Sequence, residues 1–242
     1  MSLTITLLHG WAVSPENQSK WVQFRACLKR KGFDTRFLPI PGLSSPLDTA
    51  WGLQEYVLWL HAQLKHGKKT ILLGHSFGGQ IVSRFAALYP EKVSAVILID
   101  SAGIRDRSIA VVIKRSVFKC IATLGKKLTN SPQLRHIIYK LAREKDYFEA
   151  SPVLRRTMAA VLADEVTSDL PKISAPTCII WGEHDRVTPP KLAYQFNALI
   201  PNSQLHIITG ARHSPQFSHP TTVAEYIVAF LQAEFLVPGG KS

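Results

Sequence analysis

At 242 residues and 46% hydrophobic content, the chain is large enough to bury one substantial core, and one domain with an insertion is the economical organisation. Its three cysteines, Cys27, Cys120 and Cys178, cannot all pair and show no C-x-x-C spacing, which excludes a disulfide framework and fits reduced thiols. A formal net charge of +12 invites anionic partners, but no nucleic-acid recognition motif accompanies it; nor is there a signal-peptide pattern or a run of about 18 apolar residues, so a soluble, cytoplasmic protein is expected.

In chain order, the pattern predicts a strand near 3–8, a helix near 17–31, a strand at 34–38, a helix at 51–65, a strand at 70–74, a helix at 78–89 and a strand at 93–99. Alternating βα units with apolar, β-branched strands predict an α/β fold: a mostly parallel, doubly wound sheet of about six strands. From Ile104 to about Leu170 no strand is expected. Apolar residues there recur at helical spacing in three groups: Ile109, Ile113, Val117, Ile121, Leu124 and Leu128; then Leu134, Ile137, Ile138 and Leu141; then Leu154, Met158, Val161 and Leu162. Alternation resumes with strand 177–181 and a strand at 205–208, the last helix starts near His219-Pro220, and residues 238–242 form a frayed tail. Residues 1–103 and 171–242 are thus expected to form the core, with 104–170 as a helical lid above the carboxyl edge of the sheet.

Gly74-His75-Ser76-Phe77-Gly78 fits the G-x-S-x-G nucleophile elbow and lies between a predicted strand and a predicted helix. A sharp turn there lifts the serine hydroxyl clear of its neighbours, and the glycines avoid collisions within the turn. Ser76 is the candidate nucleophile. Asp185 follows strand 177–181, and His213 follows strand 205–208. A lone loop aspartate is usually a turn or cap residue, and a lone histidine is usually structural. Three such residues, each just past a strand end, can nevertheless converge beyond the carboxyl edge of a parallel sheet. In that set His213 would take the Ser76 proton and later return it to the leaving group, while Asp185 fixes the imidazole tautomer.

Other groups compete for these roles. Asp100 also ends a strand and is an alternative acid; His75 reads as packing behind the elbow, and His9 as a support for the loop after the first strand. His184, beside Asp185, lacks a second ligand pair at metal-binding spacing, so neither metal nor cofactor is expected.

Four stretches, Leu7-Leu8-His9-Gly10-Trp11, the elbow from Leu73 to Gly79, Trp181-Gly182-Glu183-His184-Asp185 with Pro189, and Gly210-Ala211-Arg212-His213, resemble the α/β-hydrolase family. The resemblance is to its lidded serine esterase and thioesterase branch, which includes carboxylesterases and pimeloyl carrier-protein methyl esterases. It implies an oxyanion hole made by the backbone N–H groups of Trp11 and Phe77. It also implies a serine hydrolase that cleaves a carboxylic ester or thioester through an acyl-enzyme. Carbon–carbon bond hydrolysis, acyl transfer and a receptor that retains the fold are alternatives compatible with the same residues. Two departures stand out: the first strand starts at Leu3 without the family's preceding hairpin, leaving an edge that is short or covered by a partner, and the 38–45 segment lacks a second glycine after Pro41-Gly42.

The charge is uneven. Residues 104–143 hold ten basic side chains against one acid, Asp106, and so carry +9 of the total. A solvated basic face is the plain reading. The sharper one is recruitment of a carboxylate-bearing substrate, an acyl carrier protein or an anionic membrane surface through helix 108–128, with Lys114, Arg115, Lys119, Lys126 and Lys127.

Overall fold

The computed structural model describes residues 3–11, 17–64, 68–105 and 150–235. Six parallel strands form one sheet: β1 (Leu3–Leu8), β2 (Phe33–Leu38), β3 (Thr70–His75), β4 (Val93–Ile99), β5 (Thr177–Gly182) and β6 (Ser203–Ile208), in the order β2-β1-β3-β4-β5-β6. The expected doubly wound parallel sheet is therefore observed. Its helices are α1 (Asn17–Lys20), α2 (Val22–Arg30), α3 (Leu53–Gln63), α4 (Phe77–Leu88), α5 (Pro152–Ala163), α6 (Pro190–Leu199), α7 (Pro215–Ser218) and α8 (Pro220–Phe235).

Successive side chains of a strand point to opposite faces, and the two cores follow that alternation. In β4, Val96 and Leu98 pack with α3, α4 and α6 on one face, while Ala95, Ile97 and Ile99 pack with α2 and α8 on the other. All five are fully buried, which is why residues 95–99 read as an unbroken apolar run. Burial of each large aliphatic side chain contributes about 1.5–3 kcal/mol.

The predicted helix near 17–31 is observed as α1 and α2, joined through Trp21, whose backbone keeps right-handed helical angles (φ −82°, ψ −12°) and whose indole is fully buried against Phe24, Phe37, His75 and Phe217. At one edge of the sheet, β2 carries the exposed charges of Asp34 and Arg36 among its six residues. A short, charged edge resists pairing with another strand.

Of the three helical groups expected between 104 and 170, the third is α5. Leu154 and Val161 are buried, and Leu162 is exposed. Ser151 caps it, its hydroxyl accepting the Leu154 N–H at 3.1 Å, and Pro152 opens its first turn. The first two groups, the basic helix 108–128 and Cys120 lie outside the described residues. The α5 segment is fastened to α4: the Gln80 amide donates to the carbonyls of Val161 (3.3 Å) and Asp164 (3.2 Å), and Arg84 pairs with Asp164 and Asp169. Among the described residues, no helix is long and apolar enough to cross a membrane.

Candidate active site

Ser76 joins β3 to α4 with φ 52° and ψ −116°, a conformation that costs a non-glycine residue on the order of 1–3 kcal/mol. The surrounding hydrogen bonds hold it there. Its N–H donates to Ile99 O at 3.0 Å, and its carbonyl accepts from Gly79 N (2.9 Å), Ala102 N (2.9 Å) and Gln80 N (3.3 Å). The two glycines of the motif are steric requirements: a Cβ on Gly74 would stand 2.5 Å from Gly78 O, and one on Gly78 would collide with Leu8 O.

Asp185 sits in a turn that uses both of its oxygens. Oδ1 accepts the N–H of Val187 (2.7 Å) and of Thr188 (3.1 Å), while Oδ2 accepts the Thr188 hydroxyl (2.7 Å) and lies 2.8 Å from His213 Nδ1. Burial opposes ionisation of this carboxyl. The bonds from His213, Thr188 and Val187 outweigh it and hold the pKa below the ordinary value. A carboxylate can only accept, so His213 Nδ1 carries the proton and Nε2 is left with a free lone pair.

The alternative acid has a different place. Asp100 Oδ2 stands 3.8 Å from His213 Nδ1, a full ångström farther than Asp185, and both its oxygens are engaged by backbone: Oδ1 accepts Gly182 N–H at 2.8 Å and Oδ2 accepts Ser214 N–H at 2.6 Å. Burial, reinforced by the charge of Asp185, pushes its pKa up to about 7. Asp100 is thus a staple between the loops that carry Asp185 and His213. Sequence reasoning noticed its position but not this role, and it overlooked Thr188, which bonds both Asp185 Oδ2 and, at 3.2 Å, Asp100 O. Backbone strain is the shared signal: among the described residues, Ser76, Asp100 and Ser214 are the non-glycine positions with positive φ, and all three lie here.

The histidines around the elbow have separate duties. His75 is buried, and its pKa is driven well below the ordinary value by burial and by His213 and His9 nearby; its Nε2 lies 3.1 Å from the Ser214 hydroxyl. His9 Nδ1 donates to Gly10 O at 2.8 Å, so its Nε2 accepts the Ser44 hydroxyl at 2.8 Å. That bond ties the loop after β1 to the 38–45 segment, where Gly42 takes φ +83° and is followed directly by the buried Leu43. His75, Asp100 and His213 offer ligand atoms within 4.8 Å of one another, but each already serves a hydrogen bond within the network. His184 is exposed beside Glu183.

Trp11 and Phe77 meet edge to face, with ring centroids 5.4 Å apart. As the first residue of α4, Phe77 has an N–H without an intrahelical acceptor. Trp11, Ser76 and Phe77 line a cavity of about 630 Å³ under α5. Ser76 and His213 line a second cavity of about 480 Å³, on the side of α1 and α7. The structure therefore places Ser76 and His213 in the wall of one crevice, with Asp185 buried behind the imidazole. It joins His213 and Asp185 by a hydrogen bond; among the described residues, none joins the Ser76 hydroxyl to the imidazole.

Comparison with known proteins agrees with this architecture. The family described as the alpha/beta hydrolase family matches residues 7–226. The chain is 26% identical over 247 residues to a pimeloyl-(acyl-carrier protein) methyl ester esterase of Aliivibrio salmonicida, covering 95% of this chain and 92% of that protein. It is 25% identical over 265 residues to a 2-hydroxy-6-oxononadienedioate/2-hydroxy-6-oxononatrienedioate hydrolase of Cupriavidus pinatubonensis, covering 94% and 86%. Among solved structures, a bacterial membrane phospholipase A described as a virulence factor superposes with a TM-score of 0.71 at 23% identity, covering 96% of this chain and 79% of that one, which shows a common fold.

Proposed function

Because the chain belongs to the α/β-hydrolase family, we propose that it is a serine hydrolase that cleaves a carboxylic ester or thioester through an acyl-enzyme on Ser76. The observation that carries the reading is the 2.8 Å bond from His213 Nδ1 to Asp185 Oδ2, made by an imidazole that opens onto the same cavity as Ser76.

With Nδ1 held by Asp185, Nε2 is the basic atom and takes the Ser76 proton as the hydroxyl attacks the acyl carbon. The Ser76–His213 contact tightens when substrate excludes water from the crevice. Negative charge then grows on the carbonyl oxygen, where the N–H groups of Trp11 and Phe77 would stabilise it, each such donor being worth about 3 kcal/mol of barrier. The imidazolium protonates the leaving group, and water hydrolyses the acyl-enzyme by the same relay. Residues 104–170 would form the lid that selects the acyl group, with 1–103 and 171–242 as the core. The fastening of α5 through Gln80 and Arg84 supports that division. The substrate would be a small or carrier-linked acyl compound.

Ser76→Ala tests the reading: it is expected to abolish fluorophosphonate labelling and turnover of a p-nitrophenyl acyl ester series, and unchanged turnover would overturn it. A second reading, carbon–carbon bond hydrolysis by the same three residues, is supported by the similarity to the Cupriavidus hydrolase. Assay of a 2-hydroxy-6-oxo-dienoate beside the ester series separates the two.

A further inference from the structure

Ser76 lines two chambers that differ in character. In the larger one, Phe77, Ile104, Met158, Val161, Leu162 and Leu192 supply an apolar wall. The charged side chains at its rim are satisfied within the protein: Arg105 donates to the carbonyls of Leu162 and Ala163 and pairs with Glu165 at 3.3 Å, while Asp164 is held by Arg84 at 2.9 Å. The smaller chamber is lined by Lys20, His75, Arg212, His213, Ser214 and Ser218, among others, and among the described residues no carboxylate lines its wall. Lys20 and Arg212 are exposed, and neither has an acidic partner among the described residues. Trp21, also in this wall, has a buried indole N–H with no acceptor among the described residues. Arg212 also lines, with Arg186, a neighbouring cavity that His213 borders.

Chemistry decides which part of a substrate enters which chamber. The proton that His213 takes from Ser76 must go from Nε2 to the departing oxygen or sulfur, so the leaving group has to lie within hydrogen-bond reach of the imidazole. His213 lines the smaller chamber and is absent from the wall of the larger one. Resting on the acyl-enzyme reading above, we infer that the substrate joins a mainly apolar acyl group, seated between Phe77 and α5, to a negatively charged alcohol or thiol that Lys20 and Arg212 hold beside His213. In the step itself, the bond from Ser76 Oγ to the acyl carbon forms and the bond from that carbon to the leaving oxygen or sulfur breaks. The serine proton ends on the leaving group, which departs with its anionic substituent unchanged.

Three hexanoyl-type esters with comparable leaving-group electronics test this. The first is hexanoyl 4-hydroxybenzenesulfonate, anionic on the leaving side; the second is its neutral 4-hydroxybenzenesulfonamide counterpart; the third is the adipic monoester of that sulfonamide, anionic on the acyl side. The kcat/KM ratio of the first to the second is expected to be about fivefold or more in low salt, to shrink as ionic strength rises, and to fall toward one in Lys20→Ala/Arg212→Ala. The conservative pair Lys20→Arg/Arg212→Lys is expected to restore it. A ratio near one in the wild type, a ratio unchanged by the double variant, or a preference for the acyl-side anion would overturn the inference while leaving the serine hydrolase reading intact. Failure of all three esters together with no fluorophosphonate labelling of Ser76 would overturn both.

Discussion

The carboxylate of Asp100 accepts the backbone N–H of Ser214 at 2.6 Å, and through that bond the end of β4 holds the loop that presents His213. Its other oxygen holds Gly182, at the start of the loop that presents Asp185. One side chain therefore bridges the two loops that carry Asp185 and His213. Asp100→Ala strips the acceptor from a buried amide, Gly182 N–H, and a part-buried one, Ser214 N–H. It is expected to cost on the order of 3 kcal/mol in urea unfolding and to lower kcat, since an unsatisfied buried N–H is penalised by its full desolvation.

The same residue has a pH signature. In the unfolded chain Asp100 ionises near 3.8, but in the folded protein burial and Asp185 push it up to about 7. Between those values the native state binds the proton that the unfolded state has lost, so this group's contribution to stability is full below about pH 4 and is lost as pH rises to about 7. Asp185, with its lowered pKa, acts in the opposite direction at more acid pH. Subtracting the pH–stability curve of Asp100→Asn from that of the wild type is expected to isolate a decline between pH 4 and 7. A flat difference there would contradict the assignment.

Asp185→Asn keeps the shape of the turn but presents an amide that no longer selects the Nδ1–H tautomer of His213. Ester turnover is expected to fall by about 10³–10⁴-fold in kcat with little change in KM. If Asp100 were the working acid at 3.8 Å, Asp185→Asn would instead leave kcat near its wild-type value.

Gly78→Ala sets two physical effects against each other. Helix propensity favours alanine over glycine by about 1 kcal/mol. The new Cβ would collide with Leu8 O, backbone of the neighbouring strand that cannot swing away. Overpacking is expected to win, lowering stability by about 1–3 kcal/mol with a fall in the thermal midpoint.

Arg84 joins α4 to the segment after α5 through Asp164 and Asp169, and it also donates to Glu165 O at 2.6 Å. Arg84→Ala is expected to loosen residues 150–170, seen as faster amide exchange and proteolysis there than in the sheet, with about 1–3 kcal/mol lost. Arg84→Lys is expected to rescue little, because a point ammonium cannot serve three acceptors in the fixed geometry of a guanidinium fork.

Much of this fold could be read along the chain because strand period, helix period and turn glycines act over a few residues. The unbroken apolar run at 95–99 of β4 marks a strand buried on both faces, and Gly74 and Gly78 mark a turn with no room for side chains. Local pattern does not name a side chain's distant partners. Trp21 lies in a helical stretch as the periodicity suggests, but the packing of its ring against His75 and Phe217 is decided by the tertiary fold. The order β2-β1-β3-β4-β5-β6 likewise lies beyond local pattern, because neighbouring strands in a parallel sheet need not be neighbours in the chain.

The sequence by itself determined the parallel α/β class, the elbow at Ser76 and a short set of acids and histidines past strand ends, all of which follow from local sterics and periodicity. Only the tertiary structure distinguishes the surroundings of the two aspartates. Asp185 and Asp100 look alike in sequence, but one meets His213 at 2.8 Å while the other spends its oxygens on backbone, including an amide 114 positions away. The contrast between an apolar and a cationic chamber on either side of Ser76 arose in the same way. Lys20 and Arg212 are distant in the chain and become one electrostatic feature only when α1 and the loop after β6 fold against the same strand ends.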